Sequence, residues 1–126
     1  MSTYLIAGSN RWIGLELCNQ ISNNGDEVIA TCRRASSELI NLGVRIEENI
    51  DISSEEAIDN LGKKLSGINI DCLIHNAGIY EYNSLEDLNK ESIFRQFEVN
   101  ALSPICMTNS LKHLLKSSSK MYHFNI

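Results

Sequence analysis

Proline is almost missing from this sequence: 126 residues contain one, Pro104, alongside seven glycines. That scarcity excludes long flexible or Pro-rich linkers, and the length suits one domain with a real core rather than two. No basic stripe is present for nucleic acid and no polybasic segment for an anionic membrane. The formal net charge is −5, with both signs scattered along the chain, so neither partner is expected. Cys18, Cys32, Cys72 and Cys106 form no Cys-x-x-Cys pair, which disfavours zinc and a disulfide framework. Each lies among apolar residues, where a buried free thiol is expected, and such usage suits a reducing cytoplasm. His113 and His123 show no metal-ligand spacing, and no metal is expected. The segment Met1 to Arg11 has no charged leader and only a short apolar run, Tyr4 to Ala7. Neither a signal peptide nor a membrane span is expected there. Repeats are absent, and the one low-complexity tract is Ser117 to Ser119. What remains, 43% apolar and 21% charged residues, is an ordinary globular composition.

Apolar runs alternate with helical periods. Strands are predicted at Thr3 to Gly8, Glu27 to Cys32, Val44 to Ile50, Ile70 to His75 and Lys120 to Ile126. Helices are predicted at Ile13 to Ile21, on an apolar face of Ile13, Leu17 and Ile21, at Ser36 to Leu42, and from Ser53 to about Leu65. A longer helix is predicted from Lys90 to Lys116, carrying Ile93, Phe94, Phe97, Leu102, Ile105, Leu111, Leu114 and Leu115. Gly25 and Gly43 supply left-handed stops, and Ser53 with Glu56 reads as a capping box. Strand–helix alternation implies a parallel sheet with helices on both faces, joined by right-handed crossovers. Its ligand site falls at the carboxyl ends of the strands where strand order reverses, here between the first and fourth.

The chemistry-bearing motifs all fall at that edge. The first strand runs into Ala7-Gly8-Ser9-Asn10-Arg11-Trp12-Ile13-Gly14. A glycine turn from strand to helix gathers free N–H groups and the positive helix end, a setting for a pyrophosphate. Taken alone, it is equally a structural turn. Asp51 and Ile52 follow the third strand, where a carboxylate can accept from an adenine amino group, and Asn76-Ala77-Gly78 ends the fourth, where small residues admit a cofactor. Asn100 stands four residues before Pro104. Because proline has no N–H, the Asn100 carbonyl loses its helical partner; it is free to hold an ordered water, or the proline marks a tolerated kink.

Together these features resemble the short-chain dehydrogenase/reductase family, whose hallmarks are a Thr-Gly-x-x-x-Gly-x-Gly turn, an Asn-Ala-Gly strand end and a helix-borne Asn. The resemblance covers essentially the whole chain in order and spacing. Locally, Asn10 to Leu17 and Asn76 to Tyr80 look like the C-factor and carbonyl-reductase-like subgroup. The resemblance implies an α/β Rossmann fold as one NAD(P)-binding domain over 1–126. It further implies hydride transfer between nicotinamide and a small-molecule carbonyl or alcohol. Gly8, Ser9, Asn10, Arg11, Ile13, Gly14, Arg33, Arg34, Asp51, Ile52, Asn76, Ala77 and Gly78 would hold the cofactor. Asn100 would be the catalytic Asn, its main-chain carbonyl holding the relay water.

Arg33 and Arg34 follow the second strand with no acidic residue between Glu27 and Glu38, and Cys32 takes the discriminating position. In this fold a carboxylate there binds the ribose 2′-hydroxyl of NAD and an arginine accommodates the 2′-phosphate of NADP. NADP is therefore the expected cofactor over NAD, and the resemblance to NADP-preferring members implies Arg11 as a second contact; the alternative is that Arg33 and Arg34 are solvated loop charges. Ala7 replaces the family's Thr, and Trp12 its middle glycine. If that position needs positive φ, a non-glycine residue there costs about 1–2 kcal/mol, and the indole is expected to crowd a pyrophosphate. His75 stands where many relatives have Asn and is expected to be satisfied by backbone groups.

No Tyr-x-x-x-Lys occurs in the sequence, and the family's catalytic Ser segment is absent. The expectation is a cytoplasmic chain, incomplete at its C-terminus, that lacks the catalytic Tyr and Lys. A non-catalytic nucleotide-binding module and a decayed gene product are the alternatives. The 90–116 helix is a candidate surface for homo-oligomer formation.

Overall fold

The computed structural model describes residues 1–124. In chain order the elements are β1 (Thr3–Ala7), α1 (Trp12–Asn23), β2 (Glu27–Thr31), α2 (Ser37–Asn41) and β3 (Arg45–Glu47). They continue with α3 (Glu55–Lys64), β4 (Ile70–His75), α4 (Lys90–Phe97), α5 (Ser103–Leu111) and β5 (Leu115–His123). The strands form one parallel sheet in the order β3-β2-β1-β4-β5. Chain order reverses between β1 and β4, as expected, and Ala7 is in register with Thr31 on one side and His75 on the other. The fold is Rossmann-type.

The central strands are apolar on both faces because both faces are covered. Leu5, Ala7 and Leu73 pack with Leu61, Leu65, Met107 and Leu111 on one side. Ile6, Val28 and Ile74 pack with Cys18 and Leu39 on the other. Glu47, buried to 4% exposure, is held by Arg45 at 2.9 Å and Lys64 at 2.6 Å. Burial opposes its ionisation, but hydrogen bonds and charge from Lys64 and Arg45 outweigh it and hold the carboxyl below its ordinary range. Gly25 (φ +88°) and Gly43 (φ +71°) take the left-handed stops predicted for them.

Five expectations are corrected. The buried stripe of α1 is Gly14 and Cys18, while Ile13 is exposed and Leu17 and Ile21 only partly covered. β3 is three residues long rather than Val44 to Ile50, because Asn49 turns to positive φ and its N–H bonds the Arg33 carbonyl. The long helix is broken: α4 passes through one π turn, Glu98–Leu102, into α5, which ends in a 3-10 turn at Leu114. β5 then begins at Leu115, five residues before Lys120, because sheet pairing prevails over helical period: Leu115 pairs with Ile70, and the Ser119 hydroxyl donates to the Ile70 carbonyl. Asn125 and Ile126, assigned to that strand from sequence, lie outside the described residues. Finally, Ser54, not Ser53, caps α3, its Oγ accepting from the Ala57 N–H at 3.2 Å. Ser53 instead donates to Asp51 through both N–H and hydroxyl, so no capping box forms with Glu56.

No helix among the described residues is long and apolar enough to cross a membrane. Of the four thiols, Cys18, Cys32 and Cys72 are buried as expected, whereas Cys106 is half-buried on α5, and all are free. The capping correction has a measurable consequence. Ser54→Ala should lower unfolding free energy by about 1 kcal/mol in denaturant titration, and Ser53→Ala by clearly less; equal losses would restore Ser53 as the cap.

Candidate functional site

The site begins with two glycines that leave no room for a side chain. Gly8 has φ +79°, and a Cβ there would lie 2.7 Å from the Ala77 Cα and N. A Cβ on Gly14 would lie 1.8 Å from the Gly8 carbonyl oxygen and 2.7 Å from the Asn76 Nδ2. Asn76 locks the crossing: its Nδ2 donates to the Gly8 carbonyl at 3.0 Å, and its N–H to the Ala7 carbonyl at 3.2 Å. Ser9 is fully buried beneath the turn, its hydroxyl donating to Ile6 and its N–H to Thr31. Asn10 ties the turn to the start of α2, its Oδ1 accepting from the Ser36 N–H and its carbonyl from the Ser36 hydroxyl. Arg11 opens α1 with no side-chain cap bond and no acidic residue in the first turn. The positive end of the helix is thus left to whatever the turn faces.

Trp12 holds φ +50°, so the position does require the left-handed region and the strain of about 1–2 kcal/mol applies. Burial does not offset it, since the indole is 79% exposed. Its contact is with Arg11, whose Cζ sits 4.7 Å from the ring centroid.

The turn opens into a cleft of about 460 Å³ at the carboxyl ends of β1 to β4. Of the residues singled out from sequence, Gly8, Asn10, Arg11 and Ile13 line it from the turn, and Arg33 and Arg34 from the end of β2. Asp51 and Ile52 line it after β3, and Asn76, Ala77 and Gly78 after β4. Ser9 and Gly14 do not; they stand behind the wall and shape it. Trp12, Thr31, Cys32, Ile50, Ile79 and Val99 complete the lining. Of these, Val99 gave no signal, because the π turn that presents it reads as ordinary helix. Asp51 accepts from the Ser53 hydroxyl at 2.7 Å and N–H at 3.0 Å, and these bonds, helped by the charge of Arg33, hold its carboxyl below the ordinary range despite partial burial.

Asn100 sits in the π turn and grips the strand-end loop with both ends of its carboxamide. Its Oδ1 accepts from the Ile79 N–H at 2.8 Å and its Nδ2 donates to the Ile79 carbonyl at 2.7 Å. Upstream of Pro104, the Ser103 N–H and hydroxyl both donate to the Glu98 carbonyl, which is how the backbone accommodates the proline. Glu81 and Arg95 pin the same loop onto α4 through two hydrogen bonds of 2.8 and 2.6 Å.

His75, at the end of β4, is 3% exposed and is satisfied by a side chain rather than by the backbone groups expected. Its Nε2 lies 2.9 Å from the Thr108 Oγ1. The Thr108 hydroxyl also lies within donating distance of the Pro104 carbonyl at 2.8 Å and the Met121 sulfur at 3.1 Å, and donation to either leaves its oxygen free to accept from an Nε2–H of His75. His123 lies edge-on, ring centroids 6.2 Å apart. Burial first, then the nearby His123, lowers the His75 pKa from 6.5 to about 4. The unfolded chain therefore binds the extra proton first. This stability is complete above pH about 6.5 and is lost as pH falls towards about 4, by an amount on the order of a few kcal/mol. Melting scans across that window should show the decline, and His75→Gln should flatten it; an equally steep decline in the variant would assign it elsewhere.

A sheet of this order with a glycine turn at its switch point defines a Rossmann-type protein. The family profile described as short chain dehydrogenase matches residues 2–120, and the chain belongs to that family. It is 30% identical over 123 residues to the 1-hydroxy-2-glutathionyl-2-methyl-3-butene dehydrogenase of a Rhodococcus species, covering 96% of this chain and 54% of that protein. Among solved structures, a short-chain dehydrogenase/reductase of Burkholderia multivorans with bound NADP superposes with TM-score 0.91 at 26% identity, covering 98% of this chain and 58% of that one. A carbonyl reductase of Pseudomonas aeruginosa gives TM-score 0.89 at 26% identity, covering 98% and 61%. The chain spans about half the length of the curated relatives it matches.

Proposed function

We propose that the chain is the single nicotinamide-dinucleotide-binding domain of an oxidoreductase that moves a hydride between NADP and a small-molecule carbonyl or alcohol. One observation carries the reading: an uncapped helix N-terminus stands over a turn where no Cβ fits, at the mouth of a cleft edged by Arg33 and Arg34. That arrangement suits a pyrophosphate at the helix end. Gly8, Asn10, Ile13 and the α1 amides would receive it, with Ser9 and Gly14 supporting the turn from behind. Asp51 and Ile52 would meet the adenine, and Asn76, Ala77 and Gly78 would flank the ring-bearing half. Arg33, Arg34 and Arg11 would take the 2′-phosphate, in keeping with the NADP bound by the Burkholderia relative. When bound, the cofactor supplies the hydride chemistry. Asn100 would act at the substrate end, its clamp on Ile79 fixing the π turn whose backbone would position a proton-relay water. Free thiols favour a reducing cytoplasm. The exposed stripe of Phe94, Phe97 and Ile105 on α4 and α5 would serve self-association.

The second reading is a nucleotide-binding module without chemistry, which the same cleft and uncapped helix end suit equally; the 126 residues contain no Tyr-x-x-x-Lys. A positioned general acid is worth ~10²–10⁴ in rate. Both readings therefore expect no turnover of ketones or aldehydes by the 126-residue chain with NADPH, and robust turnover would reveal another acid. Calorimetry tests what they share. NADP should bind more tightly than NAD, and Arg33→Ala should reduce that preference by roughly tenfold, the worth of one charge-assisted bond. Equal wild-type affinities would make the arginines solvated surface charges, and no binding of either would overturn the nucleotide reading.

A further inference from the structure

We propose that the Trp12 indole is a platform that holds the Arg11 guanidinium at the cleft mouth, making Trp12 a positioning residue for recognition of a ribose phosphomonoester. This rests on the nucleotide reading above.

The indole's place is unexplained by packing. Trp12 keeps a left-handed backbone, which is unfavourable for any residue with a Cβ, yet its ring is 79% exposed and buries little. Strain of this sort persists where a functional arrangement needs it. The contact it secures is the one with Arg11, at 4.7 Å from guanidinium carbon to ring centroid, inside the range of a cation–π pair. Arg11 is exposed and has no carboxylate partner among the described residues. A free arginine samples many rotamers and loses that freedom when it grips an anion. Stacking removes part of the loss beforehand. It also occupies only the guanidinium face, leaving the N–H groups on the edge for an anion.

The backbone brings this pair to the arginines of β2. β1 and β2 are neighbours, with Ala7 opposite Thr31. Asn10 then bonds Ser36 through both its side chain and its carbonyl, fastening the segment before Arg11 to the segment after Arg34. Arg11, Arg33 and Arg34 therefore edge one cleft. A doubly charged phosphomonoester is the ligand group that three such cations suit, whereas a free ribose hydroxyl gains nothing from the third. Trp12, at the position where a glycine would hold nothing, supplies the stack.

The test is a titration of the whole chain with two probes, adenosine phosphorylated at both the 2′ and 5′ positions and adenosine 5′-monophosphate. The readout is the ratio of their affinities. Trp12→Leu should lower this preference about two- to fivefold, the worth of an exposed cation–π contact, while Trp12→Phe should retain most of it. Trp12→Gly relieves the strain, so it tests the same point without threatening the fold, and it should lose the preference as Leu does. Arg11→Gln should lower the preference at least as far, and adding Trp12→Leu to it should change nothing more. An unchanged ratio in both Leu and Gly variants, or a loss that persists undiminished in the Arg11→Gln background, would overturn the platform and leave the nucleotide reading standing. A wild type that binds neither probe would overturn both.

Discussion

The approach of the β1–α1 turn to the end of β4 is the constraint on which this architecture depends. With Gly8 against the Ala77 backbone and Gly14 against the Gly8 carbonyl, no Cβ fits at either crossing. Glycine is an unfavourable residue for a helix interior, by about 0.5–1 kcal/mol relative to Ala, yet Gly14 lies in the first turn of α1. Local propensity yields there to close packing. Asn76 then converts contact into a fixed geometry by donating to Gly8 and Ala7. The same removal of side-chain atoms leaves Gly8 on the wall of the cleft, beside the uncapped start of α1. The packing requirement of the sheet and the existence of a cleft are therefore one fact.

Strain collects around that cleft. Two non-glycine residues hold positive φ among those described, Trp12 and Asn49. Both border it, Trp12 directly and Asn49 through its neighbours Ile50 and Asp51. The two differ in kind. Asparagine visits the left-handed region readily, and Asn49 there lets the chain leave β3 early and bring Asp51 under the site. Tryptophan has no such tolerance, so the surrounding structure must hold it: Gly8 and Asn10 fix the turn before it and α1 the chain after it.

Much of this was legible in the sequence because strand ends and turn residues carry local signals. The glycine turn, Gly25, Gly43, the β4 run and the Asn76-Ala77-Gly78 end were readable residue by residue, and with them the reversal between β1 and β4. Failures came where a distant partner decides. Ser53 and Ser54 are equivalent as caps by type, and only the carboxylate of Asp51, which engages Ser53, separates them. The helical period has no breaker between Pro104 and Leu115, so nothing local announces that Ile70 draws Leu115 into the sheet. A helical period also says that a face is apolar without saying what covers it. Leu111 and Leu114 are buried in the core, whereas Phe94, Phe97 and Ile105 in the same period remain exposed. His75 belongs to the same class, since its partner Thr108 is 33 residues away.

Charge placement completes the physical picture. A chain of net charge −5 gains nothing from long-range attraction for an anion, and salt screens what field there is within about 10 Å. Anion recognition on such a chain has to be local. The five arginines divide accordingly. Arg45 is paired with Glu47 and Arg95 with Glu81, where each secures the fold. Arg11, Arg33 and Arg34 have no carboxylate within ion-pair distance among the described residues, and all three line the cleft. Asp51, the acidic side chain that lines the cleft with them, accepts its hydrogen bonds from Ser53. An internal ion pair would have neutralised a guanidinium at little gain, since exposed pairs are worth about 0–1 kcal/mol. Leaving three unpaired keeps their N–H groups open at one edge, next to the positive end of α1. Helix dipole and side chains then add in the same direction, so the cleft is cationic on a protein that is otherwise acidic.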